Sequence, residues 1–315
     1  MEQISNKIIS VVGPTASGKT RLGVALAQRF NGEVVSSDSM QIYRRMDIGT
    51  AKPTVEEMEG IPHHMIDVAE PTENYSVARY VQEATPIVDD ILARGKTPIL
   101  VGGTGLYVDS LISGRQFAVQ STGWRERLQA RVKAEGILPL LEELRQVDPE
   151  AAARLHPADE KRILRGLEVW HETGKTITQH NLETQKLPPR YHAVTIGLNF
   201  TERRDLWERI NLRVDQMVEQ GLYEEIRSLL AEGVPENCTA MQAIGYKEFV
   251  SALTHNGDLN AAAEEVKLRS RQYAKRQLTW FRRNPNTAWF FWDSEPNFTA
   301  SLQFATEKLR EQGIR

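Results

Sequence analysis

Short apolar runs alternate with longer segments of helical spacing along the first hundred residues. Lys7–Val12 is rich in β-branched residues and stops at a glycine loop, which predicts a buried strand. Gly18 to Phe30 predicts a helix, and Glu33 to Ser37 a second strand ending at Asp38. From Ser76 to Ala93 the apolar residues Val77, Tyr80, Val81, Ala84, Val88, Ile91 and Leu92 recur at helical intervals. Pro98 to Val101 predicts a third strand, closed by Gly102 and Gly103. Strands and helices in alternation predict a parallel sheet covered by helices.

The rhythm changes after Gly114. Trp124 to about His180 shows helical patterns only, and Lys186 to Pro189, with its paired prolines, reads as a linker. Strand character returns at His192 to Leu198. Helices are then expected at Glu202 to Gln220, at Leu222 to Glu232 and from about Asn260 to Arg282, before a last strand at Thr287 to Trp292. The expected organisation is an α/β core, residues 1–115 and 189–315, interrupted by a helical insertion at 116–188.

Composition narrows the class. The 315 residues are 40% apolar and 26% charged, as in ordinary globular proteins. No run of 18 uncharged apolar residues suggests a membrane span, and the apolar run after the polar start, Met1 to Lys7, is too short for a secretory signal. The single cysteine, Cys238, forms no internal disulfide and reads as an unreactive thiol. These features predict a cytoplasmic protein that makes no use of a membrane. The net charge of −3 by itself argues against a nucleic-acid partner, but it hides basic clusters. Lys267 to Arg283 holds seven basic residues and no acid, and Lys161, Arg162 and Arg165 form a smaller group. The longer stretch fits either a nucleic-acid contact, with Tyr273, Trp280 and Phe281 interleaved, or a solvated face with buried aromatics.

Gly13-Pro14-Thr15-Ala16-Ser17-Gly18-Lys19-Thr20 matches the P-loop pattern. Its glycines let the backbone wrap a phosphate, its N–H groups and the following helix offer positive potential, Lys19 neutralises charge, and the Thr20 hydroxyl is placed to ligate Mg²⁺. The fold class is therefore α/β, a P-loop NTPase-like parallel sheet core with an inserted all-helical domain. A P-loop specifies phosphate or diphosphate rather than ATP. The strand that would carry a second Mg²⁺-binding acid ends instead in Gly102-Gly103-Thr104-Gly105. Asp38 belongs at the carboxyl edge of the sheet, where it would serve as a general base or cap a short helix beginning near Ser39. His63 and His64 suggest a metal, but adjacent side chains diverge and no further ligand set is evident.

Several motifs occur together and in order: Asp38-Ser39-Met40-Gln41-Ile42-Tyr43, Asp47-Ile48-Gly49-Thr50-Ala51-Lys52-Pro53, Pro62-His63-His64-Met65-Ile66-Asp67 and Gly102-Gly103-Thr104-Gly105-Leu106-Tyr107. Gly245-Tyr246-Lys247-Glu248 and Lys275-Arg276-Gln277-Leu278-Thr279-Trp280-Phe281-Arg282 follow. The set resembles the tRNA dimethylallyltransferases, bacterial type, from Gly13 to Arg282. That resemblance implies transfer of a dimethylallyl group from dimethylallyl diphosphate to N6 of the adenine just 3′ of the tRNA anticodon, position 37. It implies that the whole loop from Gly13 to Thr20 holds the diphosphate and Mg²⁺, with Arg213 beside it. Asp38 matches the family's base, and Thr104 the threonine that contacts the target base or positions its amine. Asp38, Ser39, Met40, Gln41 and Thr104 match the stretches that meet tRNA, as do Arg125, Lys161, Arg162, Arg165, Lys275, Arg276 and Arg282. The partners implied are the anticodon stem-loop and the prenyl diphosphate, and the protein is expected to act as a monomer. There are departures: Gly166 stands where alanine is usual, and Gln120 to Gly123 matches no motif. Two readings compete on the residues alone, a P-loop small-molecule kinase and a nucleotide-switched RNA-binding module.

Overall fold

In the computed structural model, which describes residues 6–115, 117 and 123–314, the chain divides into two compact units. One comprises Met1–Gly114 with Arg190–Arg315, and the other is Arg115–Pro189.

The first unit is built on a six-stranded parallel sheet in the order β3-β2-β4-β1-β5-β6. Its strands are β1 (Lys7–Val12), β2 (Gly32–Ser36), β3 (His63–His64), β4 (Thr97–Gly102), β5 (His192–Phe200) and β6 (Ala288–Trp292). β1 lies between β4 and β5, which explains its continuous apolar run: Ile8, Ile9 and Val11 are fully buried on both faces. Each such side chain contributes ~1.5–3 kcal/mol when removed from water. The helices of this unit are α1 (Lys19–Arg29), α2 (Val55–Met58), α3 (Val77–Ala93) and α4 (Gly105–Ser113) in the first segment. The second segment adds α10 (Arg203–Glu219), α11 (Leu222–Ala231), α12 (Tyr246–Thr254), α13 (Leu259–Phe281) and α14 (Phe298–Glu311).

Because every strand is parallel, all strand ends after which the chemistry-bearing motifs follow lie at one sheet edge. The P-loop follows β1, Asp38 follows β2 and Thr104 follows β4. Ser76 caps α3, its hydroxyl accepting the Arg79 N–H at 3.2 Å. No helix begins near Ser39: residues 39–42 form turns, so the helix-capping reading of Asp38 is replaced by a turn-holding one.

β3 has no counterpart among the expected strands. Its two histidines point to different partners, His63 Nδ1 lying 2.8 Å from the Ile61 carbonyl oxygen and His64 Nε2 2.8 Å from the Glu33 carboxylate. Glu33 is buried and also binds Arg94 at 2.6 Å and Lys96 at 2.7 Å. The Arg94 guanidinium foremost, with help from Lys96 and His64, holds its carboxyl well below the usual range. His64 thus braces the sheet's outer strands.

The second unit contains α5 (Trp124–Glu135), α6 (Leu138–Val147), α7 (Pro149–Ala153), α8 (Glu160–Thr173) and α9 (Ile177–Lys186) around its own leucine-rich core, including Leu128, Leu144, Ile163 and Leu167. Asp148 ties it together, capping α7 through the Ala151 N–H at 3.0 Å and accepting the Thr178 N–H and hydroxyl of α9 at 3.0 and 2.8 Å. Gly166 has a packing reason here. A Cβ at that position of α8 would stand 2.8 Å from Leu144 Cδ1 of α6, so the glycine admits a close helix crossing. Gln120, where the unmatched tetrapeptide begins, lies outside the described residues, as do Ser121 and Thr122.

Candidate active site

A cavity of about 340 Å³ opens at the carboxyl edge of the sheet. Thr15 of the P-loop, Asp38, and Arg213 of α10 line its polar side, while Ile210, Val214, Met217 and Val266 supply an apolar wall. Among the residues singled out from sequence, the fold brings Thr15, Asp38, Ser39, Met40, Arg213 and Arg276 to this one cavity.

The loop from Gly13 to Gly18 leads directly into α1, whose first two residues are Lys19 and Thr20. Its conformation is fixed from outside by residues no motif rule points to. The Trp292 indole N–H of β6 donates to the Ser17 carbonyl at 2.9 Å, Arg209 donates to the Ala16 carbonyl at 3.4 Å, and the Phe298 ring of α14 packs where a Cβ on Gly18 would sit. Gln277 of α13 is the most informative of these. Its amide oxygen accepts the Thr15 N–H at 2.9 Å and its amide nitrogen donates to the Gly103 carbonyl at 3.0 Å. One buried side chain therefore ties the loop's apex to the end of β4. The signal was a polar residue on α13's buried stripe of Val266, Ala274, Gln277 and Phe281.

Lys19 Nζ donates to the Pro14 carbonyl oxygen at 2.6 Å. Burial first, and the nearby Arg213 second, lower its pKa to about 7, while Asp38 opposes the shift. Burial likewise lowers Arg213, again opposed by Asp38. Asp38 is thus the carboxylate common to the two cations, with Glu57 adding to it for Arg213, an arrangement completed by an anion between them. Thr20 offers a hydroxyl on the first turn of α1, and the Ser17 hydroxyl is buried with no hydrogen-bond partner among the described residues. Mg²⁺ takes one or two protein oxygens, with phosphate oxygens and water completing its shell, and these donors fit that demand.

Asp38 Oδ1 accepts the Met40 N–H at 2.9 Å, closing the turn that follows it. Oδ2 has no hydrogen-bond partner among the described residues, so one oxygen holds the backbone and the other is available to a substrate proton. Thr104 acts on the same turn. Its hydroxyl accepts the Ser39 N–H at 3.0 Å and lies 3.2 Å from the Ser39 hydroxyl. Tyr273 reaches Thr104 and Gln277, and its hydroxyl is pushed up to about 12 by burial and then by Asp38. Gln41 faces the fold rather than solvent, with its amide nitrogen 3.1 Å from the Ala51 carbonyl and its amide oxygen 3.1 Å from the Ser36 hydroxyl.

The basic stretch of α13 divides in two. Lys267 pairs with Asp215 at 2.7 Å and Arg269 with Glu265 at 2.6 Å, so its first half is neutralised by acids that a count within the stretch omits. Lys275, Arg276 and Arg282 are exposed and have no acidic partner among the described residues. Arg276 lies against the Tyr273 ring. In the helical unit, Arg125 and Arg165 converge on Glu168 at 3.6 and 2.9 Å, and Arg162 pairs with Asp159 at 2.8 Å. Lys161 is exposed without such a partner among the described residues.

No helix among the described residues is long and apolar enough to cross a membrane. The model of the IPP transferase family matches residues 41–284, beginning after the P-loop and Asp38. The chain is 48% identical over 308 residues to a curated tRNA dimethylallyltransferase of Caldanaerobacter subterraneus, covering 97% of this chain and 95% of that one. It resembles the crystal structure of a full-length tRNA isopentenylpyrophosphate transferase from Bacillus halodurans, with 44% identity, a TM-score of 0.71 and 98% of both chains covered. A eukaryotic dimethylallyltransferase, solved in the course of acting on tRNA, superposes with a TM-score of 0.82 at 32% identity, over 96% of this chain and 77% of its own. With a parallel P-loop sheet and relatives alike over nearly their full length, the chain belongs to the IPP transferase family, the tRNA dimethylallyltransferases.

Proposed function

We propose that the protein moves the dimethylallyl group of dimethylallyl diphosphate onto N6 of the adenine 3′ of the tRNA anticodon, position 37. The observation that carries this reading is the cavity itself. It sets Thr15 of the phosphate cradle and the half-buried Arg213 beside a carboxylate and an apolar wall of Ile210, Val214, Met217 and Val266, with Lys19 of the same loop close by. A nucleotide would place a ribose and a base beyond its phosphates, whereas five carbons want a small apolar lining.

The allylic C–O bond breaks as the C–N bond forms, the electron pair leaves with diphosphate, and the N6 proton passes to Asp38. Backbone N–H groups of the P-loop, Lys19 and Arg213 bind the departing diphosphate. Bound Mg²⁺, held through Thr20, would add to that neutralisation. Asp38 needs no raised pKa, because the amine becomes acidic only as its new bond forms. Thr104 and the turn 39–41 orient the carboxylate and the incoming base. The base must leave the anticodon-loop stack to reach the cavity, which unpaired RNA loops permit. The exposed cations Lys275, Arg276 and Arg282, with Lys161 and the arginines of the helical unit, would take the RNA backbone. The chain would act in the cytoplasm, where its tRNA substrate resides, and as a monomer.

The test incubates the protein with Mg²⁺, dimethylallyl diphosphate and undermodified tRNA, and weighs the anticodon-loop fragment. One added prenyl group and released pyrophosphate are expected, with no transfer when ATP replaces the prenyl donor. Lys19→Ala is expected to abolish transfer and spare tRNA binding. An unmodified fragment, with ATP consumed against a small acceptor, would make the protein a kinase.

A further inference from the structure

Two motifs, Asp47 to Pro53 and Gly245 to Glu248, find no direct role in the chemistry above. They meet in the structure through a third residue. Glu225 of α11 turns its carboxylate onto three consecutive backbone N–H groups. Its Oε2 accepts those of Asp47 and Ile48, each at 2.8 Å, and its Oε1 accepts that of Gly49 at 3.2 Å. The Tyr246 hydroxyl of α12 donates to the same Oε1. Four donors thus converge on one carboxylate, a nest of the kind that binds anions, filled here by the protein's own side chain. Such charge-assisted bonds are about twice as strong as neutral ones.

The segment so held is a wall of the cavity. Gly49, Thr50 and Ala51 line it together with Asp38, Ser39 and Met40. Gln41 joins the two walls, donating to the Ala51 carbonyl at 3.1 Å, one residue after the turn that Asp38 closes. Ala51 has a φ of +49°, a left-handed conformation that costs a non-glycine residue ~1–2 kcal/mol. At Ala51 itself the N–H donates to the Ile48 carbonyl at 3.0 Å and the carbonyl accepts from Gln41. Gly49 permits the close fit, since a Cβ there would stand 2.5 Å from the Tyr246 ring. Lys52 closes the far end, reaching the Tyr43 carbonyl at 2.9 Å, the Asp67 carboxylate at 2.6 Å, and Asp47.

We infer that Glu225, locked by Tyr246, is a positioning residue for the transfer: it sets the wall Gly49–Ala51 and, through Gln41, the turn that carries Asp38. The inference rests on the proposed function, because what the wall positions is the prenyl diphosphate against that carboxylate. A loop anchor of purely structural value would govern stability alone. A wall that sets the reacting geometry would govern turnover, since a displacement near 1 Å costs up to ~100-fold in rate.

The experiment uses Glu225→Gln, whose amide keeps the size but turns an NH₂ donor toward the N–H groups. Tyr246→Phe, which keeps the ring against Gly49, supplies the same readouts should Glu225→Gln fail to fold. Hydrogen exchange of the amides of residues 47–51 is measured beside steady-state kinetics and tRNA binding. Faster exchange is expected, with kcat lowered ~10- to 100-fold, a higher KM for dimethylallyl diphosphate, and tRNA affinity changed less than about twofold. Faster exchange with kcat and KM within about twofold of wild type would leave Glu225 a structural anchor and overturn the inference. Unchanged exchange would overturn it as well. A wild-type protein that transfers no prenyl group would instead remove the proposed function, and is read in the same assay.

Discussion

Arginines in the helical unit and cations at the sheet edge are arranged in opposite ways. Arg125 and Arg165 share Glu168, Arg162 lies on Asp159 and Arg131 on Glu143, so most positive charge there already has a carboxylate beside it. At the sheet edge, Asp38 opposes the loss of a proton from both Lys19 and Arg213, with Glu57 adding to it for Arg213, and burial weakens the hold of each on its proton. A surface ion pair loses little when it exchanges partners, because it contributes only ~0–1 kcal/mol. An unevenly matched, partly buried cluster gains more from an arriving anion. On the proposed function, the sheet edge would take a compact phosphate group, and the helical unit would present cations that first release an acid.

The largest effect is expected from removing the Asp38 carboxylate. Asp38→Asn keeps the size, and its amide oxygen can still accept the Met40 N–H, but it no longer takes up a proton as a carboxylate does. Turnover is expected to fall ~10²–10⁴-fold with little change in tRNA affinity. Turnover within a few-fold of wild type would reduce Asp38 to the residue that closes the turn.

Smaller effects sharpen the contrast between paired and unpaired cations. A Lys275→Ala, Arg276→Ala and Arg282→Ala triple variant is expected to flatten the salt dependence of tRNA binding, by about one unit of slope for each phosphate that is no longer neutralised. Lys267→Ala with Arg269→Ala, on the same helix but neutralised by Asp215 and Glu265, should change the slope by less than about half a unit. Equal slopes for the two variants would mean that pairing in the folded protein does not decide which cations meet RNA.

The sheet was legible because its main strands are short, β-branched and buried on both faces, a pattern that needs no partner to be read. β3 was hidden by its length and chemistry, since two histidines at an edge carry no apolar signal. α14 was hidden by Ser301 and Thr306, which interrupt its buried stripe. Their hydroxyls turn back onto the carbonyls of Phe298 and Leu302 at 3.0 and 2.6 Å and so satisfy their polar demand locally. Gln277 illustrates the same limit at the site, its polarity satisfied by Thr15 and Gly103 across the fold. Glu225 left no local trace, because its three backbone donors lie more than 170 residues away in sequence. Motifs mark residues that touch phosphate through local geometry, while the residues that hold those motifs in place declare themselves only through long-range contacts.

If the cradle takes a prenyl diphosphate, the protonation of Lys19 gives a direct reading of it. In the free protein Lys19 has a pKa of about 7, and a diphosphate beside it must raise that value. Between the two values, binding takes up a proton, so affinity falls as pH rises above about 7. The measurement is calorimetric titration at pH 8 with Mg²⁺, using a non-hydrolysable thio analogue of dimethylallyl diphosphate in buffers of different ionisation enthalpy, with ATP as competitor. Uptake of close to one proton, abolished in Lys19→Met, is expected, with prenyl affinity at least ~100-fold above that for ATP, about 2.7 kcal/mol. ATP binding more tightly than the prenyl analogue, with the proton uptake following the nucleotide, would contradict it.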